Sequence, residues 1–270
     1  MASVSPLVNV MIKAAEKASR SLVRDFGEVE QLQVSVKGPS DFVSAADKKA
    51  EEILYKELSA ARPGYNFLME EKGEVKGSDP RHRWIIDPLD GTLNFLNGIP
   101  NWAISIACEK DNEIIAGVIY DPVKDELFHA EKGKGAFMRN KRLRVSGTQH
   151  LSQAVAGHSS PKLSGSTYKQ AHAQIDGIML KTCALRVSGS VALDLAYIAA
   201  GRLDALIGTK LSPWDVAAGY IIIREAGGFI TEQDGKPNPV FGGNILATNQ
   251  SLFQDMKKFI KECSTQDSKS

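Results

Sequence analysis

Apolar residues recur at three- and four-residue steps from the start of the chain. Leu7, Met11, Ala14, Ala18, Leu22 and Phe26 line one face of a predicted long helix that stops near Gly27. Gln31 to Asp41, with Gly38, Pro39 and Ser40, reads as a mobile loop whose composition suits a lid. A second helix is predicted from about Ser44 to Ala60, ended by Arg62-Pro63-Gly64. Asn66 to Met69 reads as a strand running into Glu70-Glu71, and Lys72 to Arg81 as a polar loop. Trp84-Ile85-Ile86 is a short buried strand that ends abruptly at Asp87-Pro88. A meander follows over Ala103–Cys108, Ile114–Tyr120, Glu126–Ala130 and Ala136–Met138, with turn residues between the runs.

After about Val145 the rhythm changes. Strand-like runs at Met179–Leu185, Ala205–Ile207, Phe229–Thr231 and Ile245–Ala247 alternate with helical patterns near 167–177, 190–200, 213–226 and 250–262. This predicts an N-terminal lobe over 1–147, built of a helix pair and an antiparallel sheet, and an α/β lobe over 148–270. The functional site is expected between the lobes. Ser264 to Ser270 reads as a frayed tail.

Composition narrows the classes. Of 270 residues, 33 are basic and 32 acidic, so no global field draws the chain to nucleic acid or a membrane surface. With 43% hydrophobic residues the chain can bury a real core. Three widely spaced cysteines, at 108, 183 and 263, give no disulfide framework, and the five histidines show no zinc-type pairing. No apolar stretch reaches the length of a membrane span, and the N-terminus lacks the order of a signal peptide. The expectation is a cytoplasmic protein.

The densest chemistry lies in Asp87-Pro88-Leu89-Asp90-Gly91-Thr92. Two carboxylates sit beside a possible helix start, where backbone N–H groups favour an anion. A phosphate next to two carboxylates needs a cation between them, and hard oxygen ligands point to Mg²⁺. The plain alternative is a turn in which both acids cap backbone. Glu70-Glu71 reads as solvated surface unless the fold carries the pair to this turn. Ser212-Pro213-Trp214-Asp215 opens an apolar helix, with Asp215 as either a capping-box acid or a further ligand. Asp47 has the same ambiguity behind Ser44. Gly189-Ser190 is either an N-cap or a phosphate or hydroxyl contact. Cys108 reads as a core residue, and the basic run Lys132–Arg144 as a solvated hairpin face.

Together and in this order the motifs resemble the inositol monophosphatase family. Trp84 to Phe95 matches its W-I-I-D-P-I/L-D-G-T-x-N-F block. Trp214-Asp215-Val216-Ala217-Ala218-Gly219 with Glu225-Ala226-Gly227-Gly228 matches its W-D-x-A-A-G…E-A-G-G block. Asp41 to Asp47 and Glu70-Glu71 match its remaining acidic segments, so the resemblance spans about residues 37 to 250.

The resemblance implies a layered α-β-α-β-α sugar-phosphatase fold of the α+β class, usually a homodimer, and Mg²⁺-dependent hydrolysis of a phosphate monoester. Matched by position, Glu70, Asp87 and the Leu89 carbonyl hold a first metal, and Asp87, Asp90 and Asp215 a second. Glu70 shares a third, weaker one. Thr92 and Asp47 orient the attacking water, and Gly91 and Thr92 hold phosphate. Asp90, Gly189, Ser190 and Asp215 complete the implied substrate contacts. One departure stands out: six residues before Trp214, where the family usually has a Glu that bonds inositol hydroxyls, this chain has Gly208. Inositol 1-phosphate, or a similar sugar or polyol phosphate, is the implied substrate. Fructose 1,6-bisphosphate, histidinol phosphate and phosphoadenosine nucleotides are alternatives, because a lost hydroxyl contact changes discrimination. A role as an RNA or transcription-complex partner is the non-enzymatic alternative, supported only by Lys132–Arg144.

Overall fold

Helix α1 (Pro6–Phe26) carries the predicted apolar stripe. Ser5 caps its start by accepting from Val8 N–H at 3.2 Å, Pro6 suits the first turn, and Gly27 ends it. The computed structural model describes residues 4–28, 34–38 and 41–266. The segment expected as a loop over 31–41 contains strand β1 (Val34–Gly38), which pairs antiparallel with β2 (Asp41–Ser44). The segment therefore contains paired strand rather than one long loop. Residues 31–33 and 39–40 of that segment lie outside the described residues. Helix α2 (Ala45–Ala61) follows and buries Ala46, Asp47, Ala50, Glu51, Leu54 and Leu58.

The first sheet has eight strands. They are β3 (Asn66–Met69), β4 (Gly73–Val75), β5 (His82–Asp90), β6 (Ala103–Lys110), β7 (Glu113–Asp121), β8 (Glu126–Glu131), β9 (Gly135–Met138) and β10 (Lys141–Arg142). Their order is β10-β9-β8-β7-β6-β5-β3-β4, antiparallel except for β3 beside β5. Two expectations are corrected here. The polar segment 72–81 includes β4, and β5 does not stop at Asp87 but resumes its pairing at Asp90. A short helix, α3 (Thr92–Leu96), leaves the end of β5.

The second sheet holds β11 (Val155–Ser159), β12 (Ala184–Arg186), β13 (Ala205–Gly208), β14 (Phe229–Glu232) and β15 (Ile245–Thr248), in the order β12-β11-β13-β15-β14. Strand β11 was not anticipated, because Val-Ala-Gly-His-Ser has a single β-branched residue. The run expected as strand over 179–185 divides: Met179–Lys181 is the last turn of α4 (Gly165–Lys181), and only Ala184–Arg186 is strand. Helices α5 (Val191–Ala199), α6 (Pro213–Glu225), the short α7 (Pro239–Gly242) and α8 (Phe253–Gln266) complete the order. Of the tail expected to fray, residues 264–266 belong to α8 and 267–270 lie outside the described residues.

Alternation along the strands explains the layers. Trp84 and Ile86 of β5, with Ile104, Ile106 and Cys108 of β6, face α1 and α2. Ile85, Ala103 and Ala107 face the opposite way, against α5 and α6. The far side of those two helices meets Leu206, Ile245 and Ala247 of the second sheet. Ala205, Ile207 and Leu246 point outward to α4 and α8. Sheets covered on both faces need apolar residues at every position, hence the unbroken runs in β5–β7 and β13. Helix α5 is apolar nearly all round because it lies between two sheets. The five layers, α1/α2, sheet, α5/α6, sheet and α4/α8, are the α-β-α-β-α arrangement expected. No helix of the described residues is long and apolar enough to cross a membrane.

Candidate active site

The end of β5 builds the centre of the site. Asp87 pairs with Ser105 of β6, and Asp90 with Ala103, so Pro88 and Leu89 bulge against the single residue Ile104. Pro88 has no N–H to give to the ladder, so it fits where the ladder lapses. Asp87 Oδ1 steadies the bulge by accepting from Leu89 N–H at 2.9 Å. Gly91 then turns the chain with φ +95°; a Cβ there would lie 3.1 Å from the Asn101 carbonyl. Thr92 follows as the first residue of α3.

Three carboxylates converge on this turn. Asp87, Asp90 and Asp215 each present an oxygen within 4.8 Å of the others. Asp215 arrives from the start of α6, where the capping box with Ser212 is formed: Asp215 Oδ2 accepts from Ser212 N–H at 2.8 Å. Asp215 is thus both the cap and a member of the cluster. Glu70 arrives from β3, whose Met69 stands opposite Ile86 in the parallel register, and Glu70 N–H donates to the Ile86 carbonyl at 3.3 Å. Its side chain bonds to Asp87. The Glu70-Glu71 pair is therefore carried to the acidic turn, by the adjacent strand end.

Asp90 is held from the other side by the start of α5. Ser190 Oγ donates to Asp90 Oδ2, Ala192 N–H donates to the same oxygen at 2.9 Å, and Val191 N–H donates to Oδ1 at 3.3 Å. Ser190 also accepts from Leu193 N–H, so it caps α5 while it holds Asp90. Gly189, with φ +82°, packs against Asn94: a Cβ would lie 2.8 Å from its Nδ2. Asp47 is buried on α2, and Thr92 Oγ1 lies 3.1 Å from both Asp47 Oδ1 and the Leu89 carbonyl.

The electrostatics are one-sided. Burial, then the charges of Glu70, Asp90 and Asp215, push the Asp87 carboxyl well above the usual carboxylate range. Burial pushes Asp90 up to about 6, against the lowering effect of the Ser190 hydroxyl and the Ala192 and Val191 N–H groups. Burial, followed by Asp90, pushes Asp215 well above its ordinary value, against the Ser212 N–H. None of Asp87, Asp90 and Asp215 forms an ion pair with Lys or Arg among the described residues. Crowded hard oxygen donors without a cationic side chain fit a hard divalent cation.

Three residues escaped the sequence reading. Glu51, one turn after Asp47 on α2, is fully buried and accepts from Glu71 N–H at 2.8 Å and Lys72 N–H at 3.1 Å, fixing the turn that bears Glu70. Its four-residue spacing from Asp47 was the available signal. Asn94 Nδ2 donates to the carbonyls of Asn101 at 2.7 Å and Ser188 at 2.8 Å, tying α3 to the Gly189 segment. Asp194 is buried in α5 and bonds Ser188; burial pushes it up to about 7, with Asp90 adding to the rise. Nothing local in the sequence marks it.

Gly208 ends β13 with no room for a side chain. A Cβ would lie 2.8 Å from Ile245 Cγ1 and nearer still to Leu211 Cδ1. In the basic run, Lys132 pairs with Glu113, Lys134 with Glu131 and Arg139 with Asp125. Cys108 lies in the core, its thiol pushed up to about 12 by burial.

Comparison with known proteins agrees with this picture. The profile of the inositol monophosphatase family matches residues 3–266. An inositol-1-monophosphatase of Mesorhizobium japonicum is 52% identical over 258 residues, 96% of this chain and 97% of its own. The Nus factor SuhB of Escherichia coli is 37% identical over 252 residues, 93% of this chain and 94% of its own. The crystal structure of the extragenic suppressor protein suhB from Bartonella henselae superposes with a TM-score of 0.91 at 50% identity, covering 95% of this chain and 99% of that one. Fold, acidic site and sequence lead to one conclusion: the chain belongs to the inositol monophosphatase family.

Proposed function

We propose that this phosphatase hydrolyses small sugar or polyol phosphate monoesters, with inositol 1-phosphate as the first candidate, in an Mg²⁺-dependent reaction. The observation that carries the reading is the buried convergence of Asp87, Asp90 and Asp215 within 4.8 Å. Glu70, Asp87, the Leu89 carbonyl, Asp90 and Asp215 would hold two or three ions. Bound there, Mg²⁺ supplies charge neutralisation, Lewis acidity at the phosphate and a more acidic water.

The chain's own groups position the reaction. The Gly91–Thr92 backbone, with Gly189 and Ser190 behind Asp90, orients the ester. Thr92 Oγ1 has one proton and two acceptors at 3.1 Å, Asp47 and the Leu89 carbonyl. With that proton directed to Asp47, its lone pairs accept from the attacking water. As the water oxygen bonds to phosphorus, the water's proton moves to Thr92 Oγ1, and the hydroxyl's own proton moves to Asp47 Oδ1. The bond to the alcohol oxygen breaks on the opposite side, and the leaving alkoxide takes a proton from solvent. No covalent intermediate is needed, because positioning and charge neutralisation carry the barrier.

A cytoplasmic homodimer is part of the proposal. Its support is the family and, for a reducing setting, three free cysteines. A transcription-complex role beside catalysis has one point in its favour, the similarity to the Nus factor SuhB. The internal ion pairs of the basic run count against that role.

The test of catalysis is inorganic phosphate release from inositol 1-phosphate with Mg²⁺ and with a chelator. Metal-dependent release is expected. No release from inositol 1-phosphate or any other small ester would refute the reading.

A further inference from the structure

A cavity of about 610 Å³ opens on the outer face of the second sheet, where the ends of β13 and β14 and the start of β15 meet α4 and α8. Its lining includes Thr209, Lys210, Gln233, Asn244, Lys257 and Lys261, and no residue of the acidic cluster. Its size is that of a small-molecule site.

The hydrogen bonds already made around the cavity determine what its walls still offer. Gln233 Nε2 donates to the Gly208 carbonyl at 2.7 Å and to Thr209 Oγ1 at 3.2 Å. Gln233 Oε1 accepts from the Nε2 of buried Gln174 at 2.8 Å, so Gln233 is used at both ends. Thr209 is only 6% exposed, and its hydroxyl oxygen accepts from Gln233. The hydroxyl's own proton is left to donate and has no acceptor among the described residues. Asn244 Oδ1 accepts from Lys210 N–H at 3.0 Å, which leaves its Nδ2 protons in the same position. Lys257 reaches from α8 to the Gly235 turn, with its Nζ 5.5 Å from the Phe253 ring centre. Neither Lys210 nor Lys257 forms an ion pair among the described residues.

The acceptors are turned elsewhere. Asp234 takes Lys236 Nζ at 2.7 Å and Lys236 N–H at 3.0 Å, and the Glu232 carboxyl lies against Gly242. The cavity therefore presents donors, two of them cationic. Lys210 is also held in a left-handed backbone conformation, φ 54°, which is unfavourable for a residue with a Cβ. Thr209 N–H to the Ser159 carbonyl, at 3.0 Å, and Leu211 N–H to the Gly243 carbonyl, at 2.8 Å, pin it from both sides. Strain maintained by its surroundings is characteristic of ligand clamps.

We propose that this cavity is a binding site, separate from the acidic cluster, for a small phosphorylated molecule whose phosphate accepts from Thr209, Asn244 and the ammonium groups of Lys210 and Lys257. Phosphate fits better than carboxylate. Ammonium groups act as point charges on its tetrahedral oxygens, and no guanidinium lines the cavity to grip a planar carboxylate at two points. The inference stands apart from the hydrolase reading, because it uses none of the acidic cluster.

Pyrophosphate is the probe, titrated calorimetrically into metal-free protein so that neither turnover nor Mg²⁺ contributes. The wild type is expected to bind one equivalent, and to bind citrate about tenfold or more weakly. Lys210→Met keeps the stem, removes the charge and is expected to weaken pyrophosphate binding about tenfold. Asn244→Asp keeps the oxygen that accepts from Lys210 N–H and replaces the free donor with a second, negatively charged acceptor; it is expected to abolish binding. Asp90→Asn is expected to leave binding unchanged. Circular dichroism checks that each variant is folded. The inference is overturned by a wild type that binds no pyrophosphate, by equal affinity in wild type, Lys210→Met and Asn244→Asp, or by citrate bound as tightly as pyrophosphate. Binding lost in Asp90→Asn would place the probe at the acidic cluster and overturn it equally.

Discussion

Asp90 answers to two demands. Its oxygens accept from Ser190, Val191 and Ala192 at the start of α5, and the same group stands within 4.8 Å of Asp87 and Asp215. A carboxylate has enough lone pairs for both. Asp90→Asn is expected to keep the fold and lower phosphate release by about 10³-fold or more, measured as initial rates beside circular dichroism. Thr92→Val keeps the shape and removes the hydroxyl between Asp47 and Leu89. A kcat loss of about 10²- to 10⁴-fold at nearly constant KM is expected from steady-state kinetics. At this scale the sequence was ambiguous in an instructive way. Asp215 could be read as a cap or a ligand, and it caps Ser212 while standing in the cluster. Glu51 had only its four-residue spacing from Asp47 to mark it, because a glutamate in a helix ordinarily faces water; in the fold its carboxylate accepts from the backbone of the turn over 70–72.

Among the elements, β5 shows what local chemistry can and cannot tell. Pro88 did interrupt the ladder, as its missing N–H requires, but two bulged residues absorb the interruption and pairing resumes at Asp90. The long apolar helices and the meander were legible because their periodicity is strong. Strand β11 and the end of α4 were not, because tertiary packing rather than propensity decides them. The end of β13 at Gly208 is equally constrained by its neighbours. Ile245 of β15 and Leu211 occupy the space a side chain needs. Gly208→Ala is expected to destabilise the protein by about 1–3 kcal/mol, read from the midpoint of urea unfolding. Adding Leu211→Ala should recover part of that loss. A glutamate at 208 alone would therefore not restore the family's usual polyol contact.

At the scale of the whole molecule, the five layers press four acids from distant segments into one enclosure. The stacking was visible as alternation of apolar runs, whereas the enclosure's charge is a property of the assembled fold. Burial raises Asp90 to about 6 and moves Asp87 and Asp215 the same way. These carboxyls bind protons more tightly folded than unfolded, so the folded state holds more protons once pH exceeds the ordinary carboxylate range. The stability of metal-free protein is therefore expected to fall as pH rises from about 4 to beyond 6. A divalent cation that binds the folded state should reverse the loss, and by more at pH 7.5 than at pH 5. Melting temperatures across that range, with chelator or with Mg²⁺, check both parts.

In the proposed mechanism one acidic cluster both binds the metal and cleaves the ester. The most direct test is a single Mg²⁺ titration of metal-free protein, followed at once by melting temperature and by phosphate release from inositol 1-phosphate, with Asp90→Asn beside it. The predicted result is that both signals rise together in the wild type, and that turnover stays near zero in the variant. Release that persists in chelator, or that survives undiminished in Asp90→Asn, would contradict the account.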